Sequence, residues 1–409
     1  MSEFDRLPLK RVATLNDQAL GDDTDPDRPL LYVDIGNVSS EGQILDLAEY
    51  TFEKAPSRAR RVVQDGDVII STVRTYLQAI APIIDPPDEM IVSTGFAVVR
   101  PDPERYSPAF CKYALRDVGF LAEVQRRSTG VSYPATTATQ LAQIPVPVPL
   151  LDEQRAIAAD LDRETARIDA LIAAKRELVA RLGEKRQTLV ARAVTRGLDP
   201  GAPTRDSGVP WIGEVPSHWD VDRGRWLFDE RDERSAEGDE EMLTVSHLTG
   251  VTKRSEKDVN MFEATSTVGY KVVQSGDLAI NTLWAWMGAM GTSPHHGIVS
   301  PAYHVYEPGP RLLSPYVDAM VRTERFVREV TRYSKGVWSS RLRLYPSEFF
   351  DVLFPVPPLD EQRAIAAEIE RQSVALDAVA RETRRSIDLL KERRAALISA
   401  TVTGQRRVV

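Results

Sequence analysis

The sequence predicts an α+β fold: two mixed α/β domains joined by two long helices that pair as an antiparallel coiled coil, with an internal pseudo-two-fold repeat. Three observations predict it. The segment LDEQRAIAADLDR from Leu151 to Arg163 recurs as LDEQRAIAAEIER from Leu359 to Arg371, with ten of 13 positions identical and the other three conservative. Each copy opens a long run without proline, preceded by a proline-spaced extended segment, IPVPVPL from Ile144 and FPVPPL from Phe354. Further upstream, VVQDGDVIISTVRTYLQAI from Val62 parallels VVQSGDLAINTLWAWMGAM from Val272. Self-similarity at a fixed offset organises the whole chain, so domain assignment begins from it.

The first domain, residues 1–150, contains strand-like runs at DGDVIIST and IVSTGFAVVR, each bounded by turn residues, and a helical stretch from Pro108 to Gln125. Alternate prolines in IPVPVPL block a helix and a central strand, which leaves an extended lead-in. Residues 151–197 form the first long helix, with a seam at Ile157, Leu161, Ile168, Leu171, Leu178, Leu182 and Leu189. Asp152 suits its N-terminus, Arg192 and Arg196 its C-terminus, and Gly197 its stop.

The second domain, residues 198–358, starts in a Gly- and Pro-rich linker and repeats the strand signals at SGDLAINT and IVSPAYHVYEP. A helical stretch from Pro315 to Tyr333 follows, and then the lead-in FPVPPL. Residues 359–405 form the second helix, with its seam at Ile365, Ile369, Leu376, Val379, Leu390 and Leu397.

The 409 residues carry 52 Lys and Arg against 60 Asp and Glu, a net charge of -8, and 42% hydrophobic residues. That composition fits folded domains and argues against whole-surface binding of a polyanion, but not against local basic strips. Cys111 is the single cysteine, which excludes an internal disulfide and a thiolate cluster and suggests a reducing compartment. Neither a signal-type N-terminus nor an apolar stretch of about 18 residues is present, so the expectation is a cytoplasmic protein without membrane attachment.

The motifs that carry chemistry are missing: there is no phosphate-binding P-loop, no HExxH, no GxSxG, no dinucleotide glycine fingerprint and no NPPF or NPPY tetrad. His295, His296 and His304 lack zinc-ligand spacing, and Asp67 and Asp277 sit in GD turns where a carboxylate bonds local backbone. No catalytic residue and no metal ligand is assigned.

Charge is more informative locally. Between Arg311 and Arg343 lie eight basic residues against three acids, and YSKGVWSSRLRLYP mixes cations, hydroxyls and aromatics. QRRSTGVSYPATT from Gln125 is its weaker counterpart, also placed just before a proline lead-in. Such loops can hold phosphates and offer forked or flat groups to base edges.

PLLDEQRAIAADLDRETARIDALI and PPLDEQRAIAAEIERQSVALDAV, each opening a long helix after a Pro-rich strand, resemble the central and C-terminal repeats of type I restriction-modification DNA specificity subunits. VPWIGEVPSHWDVDRGRWLF from Val209 resembles that family's lead into a target recognition domain, for which the first domain has no clear equivalent. The resemblance implies two target recognition domains, each reading half of a bipartite site in double-stranded DNA, with the helices setting the spacer. It further implies two docked adenine methyltransferase subunits and restriction/translocase subunits. S-adenosylmethionine, ATP and Mg would then reside on those partners, with no cofactor on this chain.

On that basis the DNA-binding candidates are Arg74, Tyr76, Arg126, Arg127, Ser128 and Thr129 in the first domain. In the second they are Trp284, Trp286, Lys335, Trp338, Ser339, Arg341 and Arg343. The two tryptophans of the WAW turn could equally be core residues. Partner docking is expected at Glu153, Gln154 and Arg155 and at Glu361, Gln362 and Arg363. The alternatives are a coiled-coil scaffold without DNA specificity and a DNA-modifying enzyme in its own right.

Overall fold

The computed structural model describes residues 4–39, 41–257, 266–337 and 341–408. It resolves into two compact units, one of Met1–Arg176 with Arg384–Val409 and one of Glu177–Thr383. The division falls inside both long helices, so neither helix forms a unit of its own.

In the first unit, Phe96–Pro101 and Val68–Ser71 form the middle of a four-stranded antiparallel sheet, flanked by Ala13–Leu15 and Ile80–Pro82. Successive side chains of a strand face opposite sides, and here both sides are buried. Val68, Ile70, Ala97 and Val99 pack with Phe110, Phe120, Leu161 and Ile398. Ile69, Ala81 and Val98 pack the other way, against Val33 and Val92 of a second four-stranded sheet. Within that sheet Pro29–Val33 and Met90–Ser93 run parallel. Thus IVSTGFAVVR forms two strands, the turn between them passing the chain from one sheet to the other.

The second unit repeats the plan. Its four-stranded sheet takes Phe228–Glu230, His304–Pro308, Leu278–Ile280 and Met290–Thr292 in that spatial order. Leu278, Ile280 and Tyr306 face a core with Tyr316, Phe326, Phe349 and Phe354. Ala279 and Val305 face the opposite side, against Leu243, Val245, Val273 and Val299.

The proline lead-ins are two-stranded ribbons: Pro145–Pro147 pairs with Arg6–Pro8, and Leu353–Val356 with Asp220–Arg223. A ribbon leaves one side of each strand without a ladder, where a missing proline N–H costs nothing. Each predicted helical stretch is two helices: Pro108–Ala114 and Val118–Arg127, then Ser314–Val321 and Glu324–Tyr333. The breaks are made by N-caps, Asp117 accepting from Phe120 N at 3.2 Å and Thr323 from Phe326 N at 3.3 Å.

The long helices span Leu151–Arg196 and Leu359–Val402, and Gly197 leaves the first with φ +71°. They run antiparallel within each unit. In the first, Arg394 makes a bidentate pair with Asp169 (2.9 and 3.2 Å), while Arg406 meets Asp160, further back on the partner helix. In the second, Arg186 Nε donates to Ser373 Oγ at 3.2 Å, and Ala193 and Val194 share a core with Ile365 and Ile369.

Ile168, Ile172 and Ile387 form the apolar seam of the first unit. Leu171, Leu178 and Val379, expected in the seam, are 46%, 43% and 49% exposed, which corrects that expectation. Adjacent helix positions differ by about 100°, so choosing Leu171 over Ile172 turns the stripe away from its partner.

Candidate nucleic-acid interface

Each unit builds the same frame from the GD strand onward. In the first, Asp67 accepts from Gln64 N (2.9 Å) and takes a bidentate pair from Arg100 (2.9 and 2.8 Å). In the second, Asp277 accepts from Gln274 N (2.8 Å) and from Arg231 Nε (2.7 Å). The two aspartates close turns, as the turn reading expects, and anchor arginines distant in sequence.

Beyond each strand the chain makes one tight helical turn, Thr75–Leu77 and Ala285–Met287. Ser71 N donates to Ala79 O and Asn281 N to Ala289 O, both at 2.9 Å. The turns are closed alike but enter differently, Arg74 at φ 54° and Trp284 at φ -122°, and the side chains differ: Arg74, Tyr76 and Gln78 stand where the second unit has Trp284, Trp286 and Gly288.

A hairpin follows Val118–Arg127 and Glu324–Tyr333 in turn, closed by Thr129 against Ala135 and by Lys335 against Arg343. In the first unit this hairpin grips the tight turn. Val73 bridges to Ala135, Thr136 N donates to Thr72 O at 2.8 Å, and Thr75 Oγ1 lies 3.0 Å from Ser128 Oγ. Arg74, Tyr76 and Thr129 are exposed on that surface, and Arg74 lies over the ring of Tyr133 at 4.8 Å. Tyr133 was missed by sequence reasoning. The only hint was an aromatic residue beside a proline in a Gly- and Ser-containing loop.

Other candidates have different duties. Arg126 and Arg127 both bind Glu123, and Arg127 also donates to Gln140 O. Their hydrogen bonds hold the Glu123 carboxyl below its usual range. Both expected base readers are thus already engaged by Glu123. The Ser128 hydroxyl turns inward to Val124 O at 2.8 Å, so it supports the turn and is corrected to a structural role.

In the second unit, Trp284 is half exposed, whereas Trp286 is half-buried and donates its indole N–H to Leu283 O at 3.1 Å. Lys335 pairs with Glu348, whose carboxyl this contact holds low, so Lys335 is not a free cation. Arg341 and Arg343 are exposed and, among the described residues, carry no ion pair. Trp338 and Ser339 lie outside the described residues.

The LDEQR openings divide sharply. Gln154 and Gln362 are fully buried. Gln154 accepts from Ser107 N (2.7 Å) and donates to Arg105 O (3.0 Å) and Pro149 O (2.9 Å). Gln362 accepts from Leu313 N and donates to Arg311 O and Pro357 O, each at 2.8 Å. The expected docking role of these glutamines is corrected: no surface remains for a partner, and three backbone groups are satisfied instead. Each amide clamps its domain to its long helix.

Glu361 accepts from Trp219 Nε1 (2.9 Å) and His218 Nε2 (2.6 Å), holding the SHW segment. Glu153 is exposed, and Arg155 and Arg363 are exposed and paired one turn back with Asp152 and Asp360. Among the described residues no group of three or more His, Cys, Asp or Glu could hold a metal ion, and no helix is long and apolar enough to cross a membrane.

Residues 50–181 match the family described as the type I restriction modification DNA specificity domain. A chain from a structure addressing complex assembly and conformational transition of the type I R-M system is similar over 98% of both chains, with 24% identity and a TM-score of 0.75. The HsdS subunit from Thermoanaerobacter tengcongensis is similar over 98% of this chain and 97% of its own, with 22% identity and a TM-score of 0.51. None of the curated proteins compared matches this sequence. Residues 50–181 thus resemble a type I restriction modification DNA specificity domain, and the chain shares its fold with those two chains.

Proposed function

We propose that this chain, carrying that specificity domain, is the DNA sequence-recognition subunit of a type I restriction-modification complex. Each unit reads one half of a bipartite target. One observation carries this reading: a strand followed by a tight turn, and a helix followed by a hairpin closure, occur in both units, with Arg74 and Tyr76 exchanged for Trp284 and Trp286 on the turns. A frame kept while its exposed side chains change suits two ligands of one class and different sequence.

The long helices set the spacing between half-sites and, with the exposed parts of the LDEQR openings, dock two adenine methyltransferase subunits. Restriction/translocase subunits join for cleavage. S-adenosylmethionine, ATP and Mg act on those partners, and this chain supplies recognition without catalysis. With a net charge of -8 the isolated chain binds DNA weakly, its partners neutralising many of the phosphates.

Co-expression with the cognate methyltransferase subunit, followed by mapping of methylated adenines, tests the reading. One discrete bipartite motif is expected, and methylation at no discrete motif would overturn it. Insertion of one heptad into both helices should lengthen the spacer; an unchanged spacer would remove the ruler role.

A further inference from the structure

We infer that Arg74, lying over the ring of Tyr133, is the guanine-reading side chain of the first unit. The inference rests on the reading of the chain as a DNA-recognition subunit and adds a residue and a base to it.

The turn Thr75–Leu77 is bracketed by two non-glycine residues in the left-handed region, Arg74 at φ 54° and Gln78 at φ 50°. The second unit closes the equivalent turn with Gly288 at φ 89° and keeps Trp284 at φ -122°. Glycine would occupy the left-handed position without steric cost, so side chains retained there mark a place where the side chain matters.

The turn is also held in place. Thr75 is tied to Ser128 by its hydroxyl and to Pro134 O by its backbone N–H, and Val73 to Ala135. The guanidinium of Arg74 therefore projects from a braced support, 4.8 Å from the centre of a ring that is itself 60% exposed.

Charge separates Arg74 from its neighbours. Arg126 and Arg127 spend their donors on Glu123, whereas among the described residues no acid pairs with Arg74. A guanidinium that lies over a ring and pairs with no acid among the described residues keeps its fork available. That edge presents two parallel N–H donors, the geometry that matches O6 and N7 of guanine in the major groove. Bases offer these two acceptors side by side only at guanine, so the chemistry selects one base. A phosphate oxygen would also accept from the fork, but losing that contact would weaken binding across all sequences rather than relax one base position.

The test uses the complex with its methyltransferase subunits and maps methylated adenines for the wild type and for Arg74→Lys, Arg74→Ala, Tyr133→Phe and Tyr133→Ala. Arg74→Ala should lower the preference for guanine at one position of one half-site about ten- to a hundred-fold, and Arg74→Lys, whose ammonium can still donate to O6 and N7, should keep part of it. The other half-site should stay intact, which reports that the variant is folded and assembled. Tyr133→Phe should behave as wild type, and Tyr133→Ala should relax the same position partially. An Arg74→Ala variant with an unaltered motif would overturn the inference. A wild-type complex with no discrete motif would instead overturn the reading on which it rests.

Discussion

The tight turns of the two units occupy the same place after their strands and share almost nothing that reaches solvent. Arg74, Tyr76 and Tyr133 crown the first, and half-exposed Trp284 stands on the second, whose unit also exposes Arg341 and Arg343 without an ion pair among the described residues. Beneath them the residues are the same in kind and place: Asp67 and Asp277 in the turns, Gln154 and Gln362 in the clamps. Buried polar groups need several partners at once, so they tolerate little change; exposed ones answer only to what they touch. The comparison thus separates the frame from the reading surface.

The largest effects should come from breaking the frame. Gln154→Leu and Gln362→Leu each leave one backbone N–H and two carbonyls buried without the amide. Each should destabilise its own unit by about 3 kcal/mol, measured by urea unfolding, because an orphaned buried group costs about 1–3 kcal/mol. Clearly unequal losses would show that the clamps are not equivalent.

Next come the tryptophans of the second turn. Trp286→Ala should cost about 2 kcal/mol of stability, since part of its ring is buried and its N–H is satisfied within the turn. Trp284→Ala should leave stability within about 0.5 kcal/mol and alter recognition of one half-site. The reverse pattern would make Trp284 the core residue.

A smaller contrast concerns cations. Removing Arg341 and Arg343 should weaken DNA binding by the complex and flatten its salt dependence by about one unit of slope for each phosphate no longer neutralised. Removing Arg126 and Arg127, which Glu123 already engages, should change it less. Equal slopes would abolish the distinction between free and paired arginines.

The smallest effect is a pH dependence. At equivalent places the first unit has Lys112, paired with Asp162 at 2.6 Å, and the second has Asp318. Burial raises the Asp318 carboxyl above its ordinary value, against the opposing pull of Arg322. A raised acid binds its proton more tightly folded than unfolded, so the fold gains as pH falls from above that raised value to the ordinary one. Asp318→Asn should remove this gain in acid titrations of stability, and an unchanged acid limb would contradict the raised value.

Much of this was legible in the sequence because the repeat is nearly literal. The strands came from unbroken apolar runs, and the lead-ins from proline spacing. The helix seam slipped by one residue at Leu171 because three- and four-residue steps leave neighbouring apolar positions ambiguous in a helix this long. Gln154 and Gln362 misled because a polar side chain gives no sign of burial until its backbone partners are placed. Glu123 with Arg126 and Arg127 was readable in principle, being three and four positions apart. The placement of Arg74 over Tyr133 was not, because it depends on a hairpin folding over a turn distant in sequence.

The central claim is that two divergent surfaces read two different half-sites. It is tested most directly by mapping methylated adenines for Arg74→Ala and for the Arg341→Ala, Arg343→Ala double variant in the same assembled complex. Each should relax one half of the motif and leave the other half unchanged, and the two should affect opposite halves. Relaxation of the same half by both, or of both halves by either, would contradict it.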